Sequence, residues 1–145
     1  MKFCYYCGDG ADTLDHTIPV SFYSKLPTRK GIKSRYTDLV PVVDCCLECN
    51  ETLHNKLIID VRGRASLIKE RYIKKYKKLL NHVTWSDEDL NELGKNLQSY
   101  IIRDQILREN LKERLDHLEM IANLTEDPFL EEKKAIGYAQ SSPLN

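Results

Sequence analysis

Two short stretches near the N-terminus alternate between apolar and polar positions: Thr13-Leu14-Asp15-His16-Thr17-Ile18-Pro19-Val20 and Leu39-Val40-Pro41-Val42-Val43. A period of two predicts strands with one buried face. Beyond residue 49 the period changes. Asn50, Leu53, His54 and Leu57 fall three and four apart, which predicts a short helix after Cys49. Arg62-Gly63 interrupts the pattern. A second helix is predicted over 64–82, with Leu67, Ile68, Tyr72, Tyr76, Leu79 and Leu80 near one side. Ser86-Asp87-Glu88-Asp89 is a capping signal that opens a third helix, predicted to about residue 123 from Leu90, Leu93, Leu97, Ile101, Leu107, Leu111, Leu115 and Leu118. At 1.5 Å per residue that helix would reach about 50 Å, so it is expected to pack on helix 64–82 or on another copy of the chain. Gly94 is a candidate kink, Pro128 can start a short last helix, and the tail from Gln140 is expected to be loose.

These elements imply an α+β protein in three parts: a compact module over 1–60, a helical region over 61–125, and a short helix with a tail over 126–145. The 145 residues are 41% apolar and 30% charged, with 6 Gly and 5 Pro, which excludes a collagen or a wholly disordered chain. No run approaches the roughly 18 apolar residues that span a bilayer. Met1-Lys2-Phe3-Cys4 lacks the apolar stretch of a secretory signal, so a cytoplasmic protein without membrane contact is expected. The zero net charge hides an asymmetry. Residues 1–85 carry 15 Lys and Arg against 9 Asp and Glu, whereas residues 86–145 carry 7 against 13. The first part is suited to a polyanion and the second is not.

All five cysteines lie in the first 49 residues. Cys4-x-x-Cys7 and Cys46-x-x-Cys49 are two knuckle spacings, and in a reducing compartment such pairs predict a structural Zn²⁺ held by four thiolates. Gly8 suits the turn after the first pair. Cys45 is left as a spare thiol.

Between the two pairs lies Asp15-His16, and Asn50 directly follows Cys49. Cys4-Tyr-Tyr-Cys7-Gly8, Thr13-Leu-Asp-His-Thr-Ile-Pro19, Asp38-Leu-Val-Pro41 and Cys46-Leu-Glu-Cys49-Asn50 together resemble the HNH endonucleases, over roughly residues 3–57. The resemblance implies a ββα-metal module braced by zinc, with small phage-encoded HNH nucleases the nearest in layout and phage DNA-packaging proteins as partners. It implies a metal-dependent hydrolase nicking or cutting DNA in the host cytoplasm, with His16 as general base at a free pKa near 6.5. Asp15, Asn50 and His54 are then the ligands of a catalytic Mg²⁺ or Mn²⁺, and imidazole at position 54 also suits Ni²⁺ or Zn²⁺. Adjacent on a strand, Asp15 and His16 are expected to point to opposite faces, and Asn50 and His54 to share a helix face.

Asp38 stands where HNH enzymes usually have an asparagine that orients the base. It either takes that role or caps a turn. The phage junction-resolving endonucleases share the same features, but where they carry an acidic residue three positions after the asparagine this chain has Leu53. Phosphate-backbone contacts are expected from Lys25, Arg29, Lys30, Lys33 and Arg35 between the strands and from Lys69, Lys74 and Lys75 on the second helix, giving low or structure-based specificity. A homo-oligomer through the helices is expected. The alternative is a non-catalytic zinc module that binds DNA or recruits a partner. His82 and His117 are expected on the surface, and Tyr5 and Tyr6 beside the zinc.

Overall fold

The computed structural model describes residues 1–19 and 40–137. Strands β1 (Thr13–His16) and β2 (Val42–Cys45) pair antiparallel, with Thr13 opposite Cys45 and His16 opposite Val42. Alternation puts the facing pair Asp15 and Val43 on the buried side and leaves Leu14 and Val42 exposed. Both strands are shorter than the apolar runs suggest. Pro41 has no amide to give the ladder; its carbonyl instead accepts from Thr17 N at 3.0 Å and Thr17 Oγ1 at 2.8 Å, so the ladder stops there.

Ahead of β1 the chain makes a tight turn in which Gly8 N donates to Cys4 O at 2.9 Å and Gly8 takes φ +79°. Helix α1 (Leu47–Leu53) starts with Cys46 Sγ accepting from Cys49 N at 3.4 Å. It does not reach Leu57 as the spacing predicted. His54 leaves the helical conformation and Asn55 adopts φ +64°, a left-handed stop that asparagine tolerates well.

Helix α2 (Val61–Lys75) runs through Arg62-Gly63, where a break was expected. Asp60 caps it by accepting from Arg62 N at 2.8 Å, and the Arg62 side chain returns two bonds to the same carboxylate at 2.9 and 2.7 Å. A helical glycine costs about 1 kcal/mol, and a cap of this kind contributes about as much. The helix predicted over 64–82 is therefore longer at its start and divides at Tyr76, after which α3 (Lys77–Leu80) follows.

Ser86 Oγ accepts from Asp89 N at 3.1 Å and opens α4 (Asp87–Asn91). The single helix expected from here to residue 123 is two. Gly94 is extended at ψ 152° and caps α5 (Lys95–Ala122), whose 28 residues span about 42 Å. Helix α6 (Leu130–Ala135) begins just past Pro128, with Phe129 N on Asp127 Oδ1 at 2.8 Å.

Val61, Ala65, Ile68 and Tyr72 form one fully buried stripe of α2 at helical spacing. One side of this stripe meets Cys4, Tyr6, Val43, Cys49 and Leu53, and the other meets Leu118 and Ile121 of α5. The predicted module and the helical region thus share one core. Helix α6 is tied to the start of α2: Asp127 Oδ2 accepts from Val61 N at 3.3 Å, and the buried Lys133 ammonium bridges Asp127 and Ile59 O. Among the described residues, no helix is long and apolar enough to cross a membrane.

Candidate functional site

The four Sγ atoms of Cys4, Cys7, Cys46 and Cys49 lie within 4.8 Å of one another, and all four side chains are buried. Cys7 and Cys46 Sγ are 3.7 Å apart and no disulfide forms. A tetrahedral ion with bonds of about 2.3 Å to sulfur has edges of roughly 3.8 Å, so the cluster is already shaped to hold a metal ion. Its surroundings fit negative sulfurs. Arg114 of α5 donates to Tyr72 Oη at 2.9 Å, and that hydroxyl lies 2.9 Å from Cys49 Sγ, a relay that delivers an O–H to the thiolate. Arg114 Nε is buried without a hydrogen bond among the described residues and lies 3.8 Å from Asp9 Oδ2, while the guanidinium interacts with the Cys7 sulfur. Burial works against the charge of Arg114, but the Cys7 and Tyr72 groups with Glu48 outweigh it and hold its pKa above the usual value. Cys45 is not one of the four clustered ligands, but its buried thiol neighbours the Cys4 and Cys49 sulfurs and also reaches Cys46 O at 3.4 Å.

Asp15 points inward from β1. Its Oδ1 accepts from Arg64 Nη2 at 2.6 Å and its Oδ2 from the Tyr6 hydroxyl at 2.7 Å, while Arg64 Nε donates to Tyr6 Oη at 3.0 Å. Arg64 also reaches Ile58 O at 2.9 Å and His16 O at 3.4 Å. Desolvation disfavours the charged guanidinium, yet Tyr6 and Asp15 raise its pKa overall; burial, then the adjacent carboxylate, drives the Tyr6 phenol well above its ordinary value. The triad is a closed network of one anion, one cation and one hydroxyl, all nearly inaccessible.

Beside it opens a cavity of about 250 Å³ lined by Asp15, His16, Asn50, His54, Lys56 and Arg64, among others. Asp15 and His16 border the same cavity although adjacent on a strand, because it lies at the end of β1. Asn50 projects from α1 and spends both amide hydrogens on Thr13 Oγ1 and Leu14 O at 3.1 Å, which leaves its Oδ1 as the atom to offer a ligand. His54 does not share a helix face with Asn50, since α1 ends one residue earlier; it reaches the cavity from the turn.

The remaining expectations divide. Lys25, Arg29, Lys30, Lys33, Arg35 and Asp38 lie outside the described residues. Lys69, Lys74 and Lys75 each face a carboxylate: Glu119, Glu70 at 3.7 Å and Glu48 at 2.6 Å, respectively. Their charges are compensated within the fold, so the strongly basic α2 is less cationic than its composition. His117 is not a surface residue. Its Nδ1 lies 2.8 Å from Tyr6 O, and its ring sits where a Cβ on Gly8 would come within 3.1 Å. A larger groove of about 550 Å³ between α1 and α2 shares His54 and Lys56 with the cavity, but Glu48, Glu51 and Glu70 offset its basic residues.

Sequence reasoning missed Tyr6 as the partner of Asp15 and Tyr72 as the partner of Cys49, and missed Arg64 and Arg114 altogether. The available signal was Arg64 itself, a charged residue beside the apolar stripe Val61, Ala65, Ile68 and Tyr72. The four cysteines are the only group of three or more His, Cys, Asp or Glu side chains close enough to share an ion among the described residues. Compared with family models, curated proteins and solved structures, the chain matches none of them.

Proposed function

We propose that the chain is a metal-dependent endonuclease of the HNH type that hydrolyses DNA phosphodiester bonds, with a structural Zn²⁺ at the four cysteines. The observation that carries this reading is the convergence of Asp15, His16, Asn50 and His54 on one cavity beside the cysteine cluster. They come from two segments more than 30 residues apart, and they are the residues that the HNH resemblance implies.

Asp15, Asn50 and His54 would hold a divalent cation such as Mg²⁺ or Mn²⁺. Such a cation neutralises the phosphate and stabilises the leaving oxygen. The chemistry of the donors suits a hard cation: each Asp15 oxygen accepts one protein bond and keeps a second lone pair that a cation could take. His16 takes the proton of the attacking water. Arg64 grips both the Asp15 carboxylate and the His16 carbonyl, so it orients the pair at the cavity wall. Lys56, at the cavity wall, attracts the phosphodiester without choosing among bases. Low or structure-based specificity follows, as does a place in phage DNA processing or packaging, with branched junctions as one candidate substrate.

A second reading is a zinc-stapled binding module without catalysis. What favours it is the tight engagement of Asp15 by Arg64 and Tyr6, which a purely structural role explains equally well. Supercoiled plasmid with Mg²⁺ or Mn²⁺ separates the two. Nicking by the parent protein and none by His16→Ala, at equal zinc content and circular dichroism, supports the enzyme. Equal activity in both, or none in the parent at any divalent ion, rejects it.

A further inference from the structure

Helix α5 is about twice as long as α2, and only its C-terminal half lies in the core, through Leu111, Leu118 and Ile121. Its N-terminal half extends as an arm. One side of the arm is covered by the linker after α3: His82 pairs with Asp104, Arg108 donates to His82 O and Thr84 Oγ1, and Trp85 N donates to Gln105 Oε1 at 2.9 Å. A second side, which Gln105 also borders, is open. There Ile102 is 43% and Ile106 64% exposed, and both line a shallow surface hollow with Glu109 and Glu113.

Lys95, Ser99, Ile102, Ile106, Glu109 and Glu113 fall on one stripe at alternating spacings of four and three. The stripe is basic at its start, apolar in the middle and acidic at its end. Parallel pairing of two such stripes would stack Glu109 on Glu109 and Glu113 on Glu113. Antiparallel pairing about a two-fold axis level with Asp104 instead brings Ile102 to the partner's Ile106 and Lys95 to the partner's Glu113. A two-fold interface must be self-complementary in this way.

We propose that this open face of α5 is a homodimer interface, in which two arms pair antiparallel around four isoleucines with Lys95–Glu113 ion pairs at both ends. The opposite charges at the two ends select a second copy and fix its direction. The inference makes the expected oligomer specific and does not depend on nuclease activity.

Sedimentation velocity and light scattering over a concentration series test it. The full chain should rise from 16.9 kDa toward twice that mass. Ile106→Glu should hold the mass at 16.9 kDa with unchanged helical circular dichroism. Lys95→Glu and Glu113→Lys should each weaken association at least about tenfold, and the double exchange should restore it. Because the exchanged residues are solvent-facing, this rescue stays readable even if Ile106→Glu misfolds. A parent that remains monomeric overturns the proposal and leaves the face to a different protein. A dimer indifferent to Ile106→Glu, or a double exchange without rescue, also overturns it.

Discussion

Replacing Arg64 by methionine removes the one cation beside a buried carboxylate. Arg64 and Asp15 side chains are 3% and 5% exposed, and the Asp15 carboxylate keeps only the Tyr6 hydroxyl once the guanidinium is gone. Breaking a buried ion pair from one side costs about 3–5 kcal/mol, because the surviving charge loses its compensating partner in a largely desolvated place. For a chain of 145 residues each kcal/mol moves the melting temperature by roughly 3–4 °C, so Arg64→Met should lower it by about 9–20 °C. Asp15→Asn on its own leaves the opposite charge stranded and should also destabilise. The double variant carries neither charge, so it should be more stable than the sum of the single losses by more than about 1 kcal/mol. Urea denaturation of the four metal-loaded proteins measures the free energies and their coupling, and thermal melts the temperature shift. A loss below about 1 kcal/mol for Arg64→Met, or strict additivity in the cycle, would refute the closed-triad reasoning.

Chelation of the cysteine-bound ion should abolish the near-ultraviolet dichroism of the aromatic core and lower thermal stability, both regained on adding Zn²⁺, since structural zinc contributes to folding directly. Arg114→Met should speed release of the ion to a coloured chelator by about 10–100-fold, through loss of the bonds to Tyr72 and Glu48, whereas Cys45→Ser should leave the rate and zinc content unchanged. Lys133 gives a pH signature. Burial lowers its folded pKa below the ordinary 10.5 against the pull of Asp127, so the unfolded chain binds more protons between the two values and this group's contribution to stability rises with pH there. Lys133→Met should remove that rise, read as a difference in the slope of urea midpoints against pH on the alkaline side.

The cysteine cluster and the α+β order were legible because knuckle spacing and strand alternation are local signals. The cavity was legible in part: Asp15, His16, Asn50 and His54 do meet there, but His54 arrives from a turn that Asn55 imposes, which helix periodicity does not reveal. Helix limits failed where one capping residue decided them, at Asp60 and at Gly94. The partners of Asp15 and of the sulfurs were not legible, because Arg64 and Arg114 are separated from them by 49 and more than 60 positions, and only packing brings such pairs together. The pairing of the α2 lysines was hidden for a related reason: three of them meet carboxylates, two of these from other helices.

The contact between His117 and the Gly8 turn joins positions 111 apart in the chain. During synthesis the four thiols therefore leave the ribosome long before the helix that seals them. A nascent chain halted near residue 90 would possess every sulfur yet keep one wall of that cluster open to solvent, so the thiols could meet an ion before that helix closes over them.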